Sequence, residues 1–341
     1  MFFYGNDLQK QLKNNILFCM IKAEIKDLDL IKHLDSLEED KLSIFTLAEG
    51  RVRGALFHGT RFVNQMRAQH NLGILETYIL AHASLCGALT IPMMKDMENT
   101  AIKYEGTGSA EGYYVEASST GWVRSYLFNE HIHLDKPLEN WDLKPFLGIG
   151  NLTFSRKHKD DKFPQSSTVD VESSNISKDF ATYFAKSEQI NTAFNSSVQF
   201  DKQGRVTGAG AMYIQIMPKT GGTAKLGSQI DSHQQETEDD EKLLQKVENA
   251  FKACPSLGQL FSEKQVDSED IIIGLFREFG PIITLKRDIK YDCPCDDQLF
   301  LNYLRSLPKD QIDDIKKNGP NPLEITCHNC GSVYKIPVNK I

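Results

Sequence analysis

The sequence lacks a positive surplus. Its 39 lysines and arginines are outnumbered by 46 aspartates and glutamates, a net charge of −7, and the pI is near 5.8. Nothing draws such a chain at long range to phosphate backbones, and no local basic cluster compensates, so nucleic acid is not an expected partner. No apolar run approaches the roughly 20 residues of a membrane span. The longest near the N terminus, 16–21, is too short for a signal-peptide core, so neither membrane nor export is expected and a cytoplasmic location is. P-loop, nucleophile-elbow and His-Glu-x-x-His patterns are also missing. Gly106-Thr107-Gly108 opens like a dinucleotide loop but has no third glycine and no following helix, and reads as a turn. Nothing in the residues demands an enzyme.

The chain does have cysteine. In a reducing cytosol seven cysteines read as metal ligands or redox groups rather than structural disulfides, and four of them lie after residue 290. They form Cys293-Pro294-Cys295 and, 31 residues on, Cys327-His328-Asn329-Cys330-Gly331. Two close pairs brought together by an intervening fold suit the tetrahedral thiolate shell of one Zn²⁺ per chain. The second pair sits between 324–326 and 332–336, which alternate as hairpin strands, and Gly331 permits the positive φ of a knuckle turn. Between the pairs, Leu299, Phe300, Tyr303, Leu304 and Leu307 offer an apolar helical face, and Gly319 marks a helix stop before Pro320. About 50 residues sustain little core, so metal ligation worth on the order of 10 to 16 kcal/mol would hold the unit together. On spacing alone a permanently structural ribbon leads, a redox-sensitive site follows, and a thioredoxin-like pair comes last, because its cysteines should open a helix. His328 reads as a solvent-facing knuckle residue. Cys86 and Cys254 lie on apolar stripes and read as buried hydrophobes. His131 and His133 alternate as on a strand face but lack a third ligand.

Length and texture predict an α+β protein in several units. Residues 1–40 read as a helical extension with Leu28, Ile31, Leu34 and Leu37 at helical spacing; Met20 is a candidate start, which would remove Cys19. A main domain spans 41–218, with a long apolar helix over 72–94 and strands over 101–104, 113–116, 122–128 and 205–217. A helix is predicted over 176–194, capped by Ser177, with Phe180, Tyr183 and Phe184 on one face. The composition shifts after Pro218 to a Gly/Ser insert and an acidic run ending at Glu241. Two amphipathic helices follow within 219–287, carrying Leu243, Leu244, Val247, Phe251 and Cys254, then Ile272, Leu275, Phe276 and Phe279. Neither buries its stripe alone, so both are expected to dock on the main domain. Residues 288–341 form the cysteine domain.

The C-x-C and C-x-x-C order at the C terminus resembles the redox-regulated 33 kDa chaperonin family, the heat-shock holdases. Further likeness lies in Val52-Arg53-Gly54, Trp122-Val123-Arg124-Ser125-Tyr126, Leu147-Gly148-Ile149-Gly150, Tyr183-Phe184 with Ser187-Glu188-Gln189, and Gln215-Ile216-Met217-Pro218. It runs over about 41–336. The family's usual proline is Asn191 here, Phe163-Pro164-Gln165-Ser166 replaces a Tyr-Gln-Gly, and Ala211 replaces a glycine. The resemblance implies an ATP-independent holdase that is inactive when reduced and zinc-bound. It further implies that oxidation joins Cys293 to Cys295 and Cys327 to Cys330, releases Zn²⁺, unfolds the linker and exposes a surface for unfolding client proteins. Implied partners are those clients, ATP-dependent foldase chaperones downstream, and a second copy in an oxidised homodimer. The rival is an interaction adaptor with a constitutive zinc ribbon.

Overall fold

A computed structural model describes residues 20–134, 136, 138, 140–172, 175–217, 238–264 and 266–341. Cys19 and the Gly/Ser insert after Met217 lie outside these residues. The described residues divide into a larger unit, Ile25–Tyr291, and a smaller one made of Asp292–Ile341 with residues 20–24.

In the larger unit, helix α1 (Leu28–Asp35) precedes strands β1 (Leu42–Leu47) and β2 (Val52–His58) and helices α2 (Thr60–His70) and α3 (Ile74–Ala88). Strands β3 (Glu98–Gly106), β4 (Gly112–Ser118) and β5 (Trp122–Leu127) follow, then the short helix α4 (Lys144–Leu147), β6 (Ile149–His158) and β7 (Gln165–Glu172). Helix α5 (Ile176–Tyr183) leads to β8 (Thr192–Phe200) and β9 (Val206–Ile216). After the insert come α6 (Glu238–Lys252), α7 (Leu257–Leu260), α8 (Ser268–Phe276), β10 (Ile282–Arg287) and β11 (Lys290–Tyr291).

The strands form a five-stranded sheet in the order β10-β1-β2-β9-β8 and a six-stranded sheet in the order β11-β5-β4-β3-β6-β7. All neighbours are antiparallel except β11, which runs parallel to β5. This is the α+β class. Helix α3 is apolar on every side, and a helix of that kind has to be enclosed. It touches β4 and β5 of one sheet and β8 and β9 of the other. One expectation is corrected here: the stretch Ile74–Met93 has the length and composition of a membrane span. It is 83% buried within the protein and serves as its core helix.

Other departures have local causes. Helix α5 is capped by Asn175, whose side chain accepts from the Lys178 amide, because the Ser177 hydroxyl is turned to Ser196 at 2.7 Å. The helix ends in a π-turn at Phe184–Glu188, and Phe194 belongs to β8. Phe180, Tyr183 and Phe184 are buried together as expected. In α1 the inward stripe is Leu30, Leu34 and the following Leu37, while Leu28 is 71% exposed. His131 and His133 lie on irregular backbone, not on a strand, in a turn where the Asn129 side chain accepts from the His131 amide. Gly106 and Gly108 form the expected turn, pressed against the backbone of Phe146 and Leu147 so closely that a Cβ at either would overlap it.

In the smaller unit, helices α9 (Asp297–Arg305) and α10 (Lys309–Asn318) precede a hairpin of β12 (Leu323–Thr326) and β13 (Val333–Ile336). Its apolar cluster is only Leu301, Leu304 and Ile336 with a few half-buried neighbours, Phe300 and Leu307 among them. Leu299 and Tyr303, expected inside, are exposed. The inward stripe starts at Leu301 instead, because Asp296 caps α9 and sets its phase.

Candidate metal and redox centre

The hairpin builds half of the centre. Cys327 and Cys330 flank the β12–β13 turn, where the Gly331 amide donates to the Cys327 carbonyl at 2.8 Å and the Cys327 amide to the Ser332 carbonyl at 2.8 Å. Gly331 closes the knuckle with φ of 69°, a conformation that a residue without Cβ adopts freely. Cys293 and Cys295 arrive on the segment before α9, where the Asp292 side chain accepts from the Cys293 amide. All four cysteines are buried, and their sulfurs lie within 4.8 Å of one another.

The sulfur spacing fits one metal ion. A tetrahedral zinc–thiolate shell with bonds of about 2.3 Å has sulfur–sulfur edges of about 3.8 Å. Cys293 and Cys327 are 4.0 Å apart and Cys295 and Cys330 are 3.5 Å apart. His328 is exposed on the turn and is not among the clustered donors.

Crowding splits the acidities of the thiols. Hydrogen bonding from Cys293, Cys295 and Cys330 holds Cys327 far below an ordinary thiol, while Cys295 and Cys330 are both pushed up, foremost through their bonds to Cys293 and then to Cys327. Such a cluster does not carry four negative charges by itself; a divalent cation would compensate them. Two groups that spacing did not reveal support the sulfurs. The Tyr334 hydroxyl lies 3.2 Å from Cys295 Sγ and donates to the Cys295 carbonyl, and Cys330 Sγ lies 3.3 Å from the Ser332 hydroxyl. Both residues are in the expected hairpin, but only the finished turn aims them at sulfur.

The other cysteines stand apart. Cys86 is buried in α3 with its thiol pushed up to about 11 by desolvation, and Cys254 is also raised to about 11 by burial. Thiols held neutral react slowly with oxidants. Replacing both by alanine should leave the rate at which oxidant consumes the four clustered thiols unchanged, as read by thiol titration. A variant that folds but whose cluster reacts more slowly would give these cysteines a part in that chemistry.

Helices α6 and α8 lie on the five-stranded sheet. Val247, Phe251, Ile272 and Phe276 are buried in one cluster with Phe45, Leu47, Val52, Leu56, Met212 and Ile214 of β1, β2 and β9. Leu275 and Phe279 pack half-buried against it. Leu243 is half-exposed, and α6 presents Leu244 in its place. Phe276 stacks on Phe45 with centroids 5.7 Å apart.

Helix α7, a single turn, carries no periodic signal in the sequence, although Leu257 and Phe261 are fully enclosed. It approaches β9 so closely that a Cβ on Gly208 would fall 1.9 Å from the Gly258 carbonyl. Phe261 lies over Gly210 and stacks on His58 at 4.2 Å. Burial holds the His58 imidazole down at about 4, so it meets the phenyl ring as a neutral partner. From α8 the chain continues through β10 on the edge of the same sheet and β11 beside β5. Tyr291, the last residue of the larger unit, bonds His70 at 3.0 Å and the Ser125 carbonyl at 2.8 Å.

A family model described as Hsp33 protein matches residues 40–337. The chain belongs to the Hsp33 family. Relatives include the 33 kDa chaperonin of a Cyanothece species, 28% identical over 299 residues that cover 87% of this chain and 93% of the relative. The 33 kDa chaperonin of Thermotoga maritima is 28% identical over 292 residues, covering 85% and 91%. The crystal structure of the 33 kDa chaperonin (heat shock protein 33 homolog) from Thermotoga maritima superposes with a TM-score of 0.74 at 27% identity, over 89% of this chain and 96% of that one. The Hsp33 match includes both cysteine pairs and leaves residues before 40 outside it.

Proposed function

We propose that this Hsp33 family member is an ATP-independent holdase of the cytoplasm, silent while reduced and metal-bound and active once oxidised. The observation that carries the reading is the closure of an apolar sheet face by α6, α7 and α8, whose chain runs on through β10 and β11 into the four-cysteine cluster. In this reading 41–218 is the chaperone domain, 219–287 the linker and 288–341 the switch, with Cys293, Cys295, Cys327 and Cys330 holding one Zn²⁺.

The chemistry follows from the ligands. Metal-bound thiolates are deprotonated and nucleophilic, so a strong oxidant reaches them before the neutral thiols of Cys86 and Cys254. Hypochlorite takes two electrons from a pair of thiolates and, with two protons from solvent, leaves as chloride and water, and the two sulfurs join. Pairing Cys293 with Cys295 and Cys327 with Cys330 removes all four thiolates, and the unit loses the ligation that outweighs its small apolar core. The linker then loses its anchor. Phe45, Leu47, Val52, Leu56, Met212 and Ile214 come into solvent, an apolar patch of the kind that unfolding clients bind. Release from the holdase falls to ATP-dependent foldases, and the exposed face also suits pairing of two oxidised copies.

The discriminating experiment follows the metal. Reduced protein should contain one zinc per chain and give it up to a chromogenic chelator after hypochlorite, with the loss of four titratable thiols. Retention of zinc through complete oxidant treatment would instead favour a constitutive ribbon in an interaction adaptor.

A further inference from the structure

The segment before residue 40 lies outside the Hsp33 match, yet it belongs to both units. Its first described residues, up to Glu24, fall in the smaller unit, and from Ile25 onward it falls in the larger. In the smaller unit Met20 is buried, and the Ile21 carbonyl accepts from the Ser332 hydroxyl at 3.0 Å. That hydroxyl is the one 3.3 Å from Cys330 Sγ. The segment is therefore one hydrogen bond away from a group that contacts a metal ligand.

At its other end the segment is fixed to the five-stranded sheet. His33 Nε2 lies 2.7 Å from the Thr207 carbonyl of β9, next to Gly208, which α7 abuts. Arg61 donates to the carbonyls of Leu34, Leu37 and Glu38, tying the end of α1 to the start of α2. Leu34 is buried in the apolar cluster under α1. One short stretch of chain thus has a foot in each unit and crosses between them at Glu24–Ile25, independently of the crossing at Tyr291–Asp292.

We infer that residues 20–40 are a strap that couples the state of the cysteine centre to the sheet bearing the linker. The Ser332 hydroxyl is presented to Ile21 only while the β12–β13 knuckle is formed, and the knuckle is what the metal holds together. Loss of the metal frees the foot at 20–24, and α1 then keeps its place on β9 through its own contacts alone. Coupling between two sites is reciprocal, so an undocked α1 must in turn loosen the metal site. The inference rests on the metal reading for its trigger only.

Hydrogen exchange of the full chain tests the coupling. Removing the metal should lower protection at the amides of 21–24 and of α1 by at least about tenfold, a sub-global opening. Ile336→Asp, which puts a charge into the smaller unit's own apolar cluster, opens that unit whether or not a metal is bound and should give the same change. A chain that takes up no metal therefore sinks the switch reading while the strap is still judged on Ile336→Asp. In the reverse direction, Leu34→Asp should speed zinc transfer from reduced protein to a chelator about three- to tenfold, as expected for a coupling of ordinary size. Leu34→Ala, a milder change, covers the case in which the aspartate variant does not fold. Unchanged protection of α1 in the opened protein, or wild-type transfer rates in the Leu34 variants, would overturn the strap.

Discussion

Replacing Phe276 by aspartate should turn on holding activity without oxidation. Phe276 has no solvent exposure and stacks on Phe45 at the centre of the linker–sheet cluster. Truncating a buried phenylalanine typically costs about 3 to 5 kcal/mol, and an unpaired carboxylate in the same place costs more. Each docked side chain of this kind contributes only about 1.5 to 3 kcal/mol, so one substitution offsets several contacts. The variant should suppress aggregation of a heat-unfolded client while its thiols are reduced and its metal is retained. Amides of α6 and α8 should lose protection from hydrogen exchange. Inactivity until oxidation, with linker amides as protected as in the unchanged protein, would show that the linker does not gate the surface.

The second large effect is expected at Cys327, the sulfur that its three neighbours hold far below an ordinary thiol. Cys327→Ser leaves three thiolates and a hydroxyl, and zinc affinity should fall by at least about a hundredfold given how much of a small domain's stability the metal supplies. The apolar cluster of Leu301, Leu304 and Ile336 is too small to replace that contribution. Amides across 292–341 should therefore exchange as in an unfolded segment. Substitution by Co²⁺ in the unchanged protein should give the ligand-field bands of four sulfurs. Nitrogen-containing spectra would remove the Cys₄ assignment, and a Cys327→Ser unit that stays protected would show that its fold does not depend on metal.

What the sequence disclosed divides along the reach of the interactions. The four cysteines were legible because ligand geometry forces close pairs, and β3, β4 and β5 because one buried face imposes strict alternation. Strand β10 was not: residues 282–287 pair with β1, some 240 positions earlier, and no local pattern announces that partner. Helix α7 was hidden for the same reason, since Leu257 and Phe261 gain their meaning from Gly208 and Gly210 opposite. The cap at Asn175 rather than Ser177 was a choice between two competent residues, settled by the Ser196 hydroxyl. The roles of Ser332 and Tyr334 required the folded knuckle. The two feet of 20–40 required both units.

Aggregation of a chemically unfolded client, followed by light scattering, compares one preparation in two states. Reduced, zinc-loaded protein should leave the scattering of the client unchanged. The same protein treated with hypochlorite, shown to have lost its zinc and its four C-terminal thiols, should suppress scattering at near-stoichiometric ratio without ATP. Equal suppression by both states, or none by the oxidised state, would contradict control of a holding surface by Cys293, Cys295, Cys327 and Cys330.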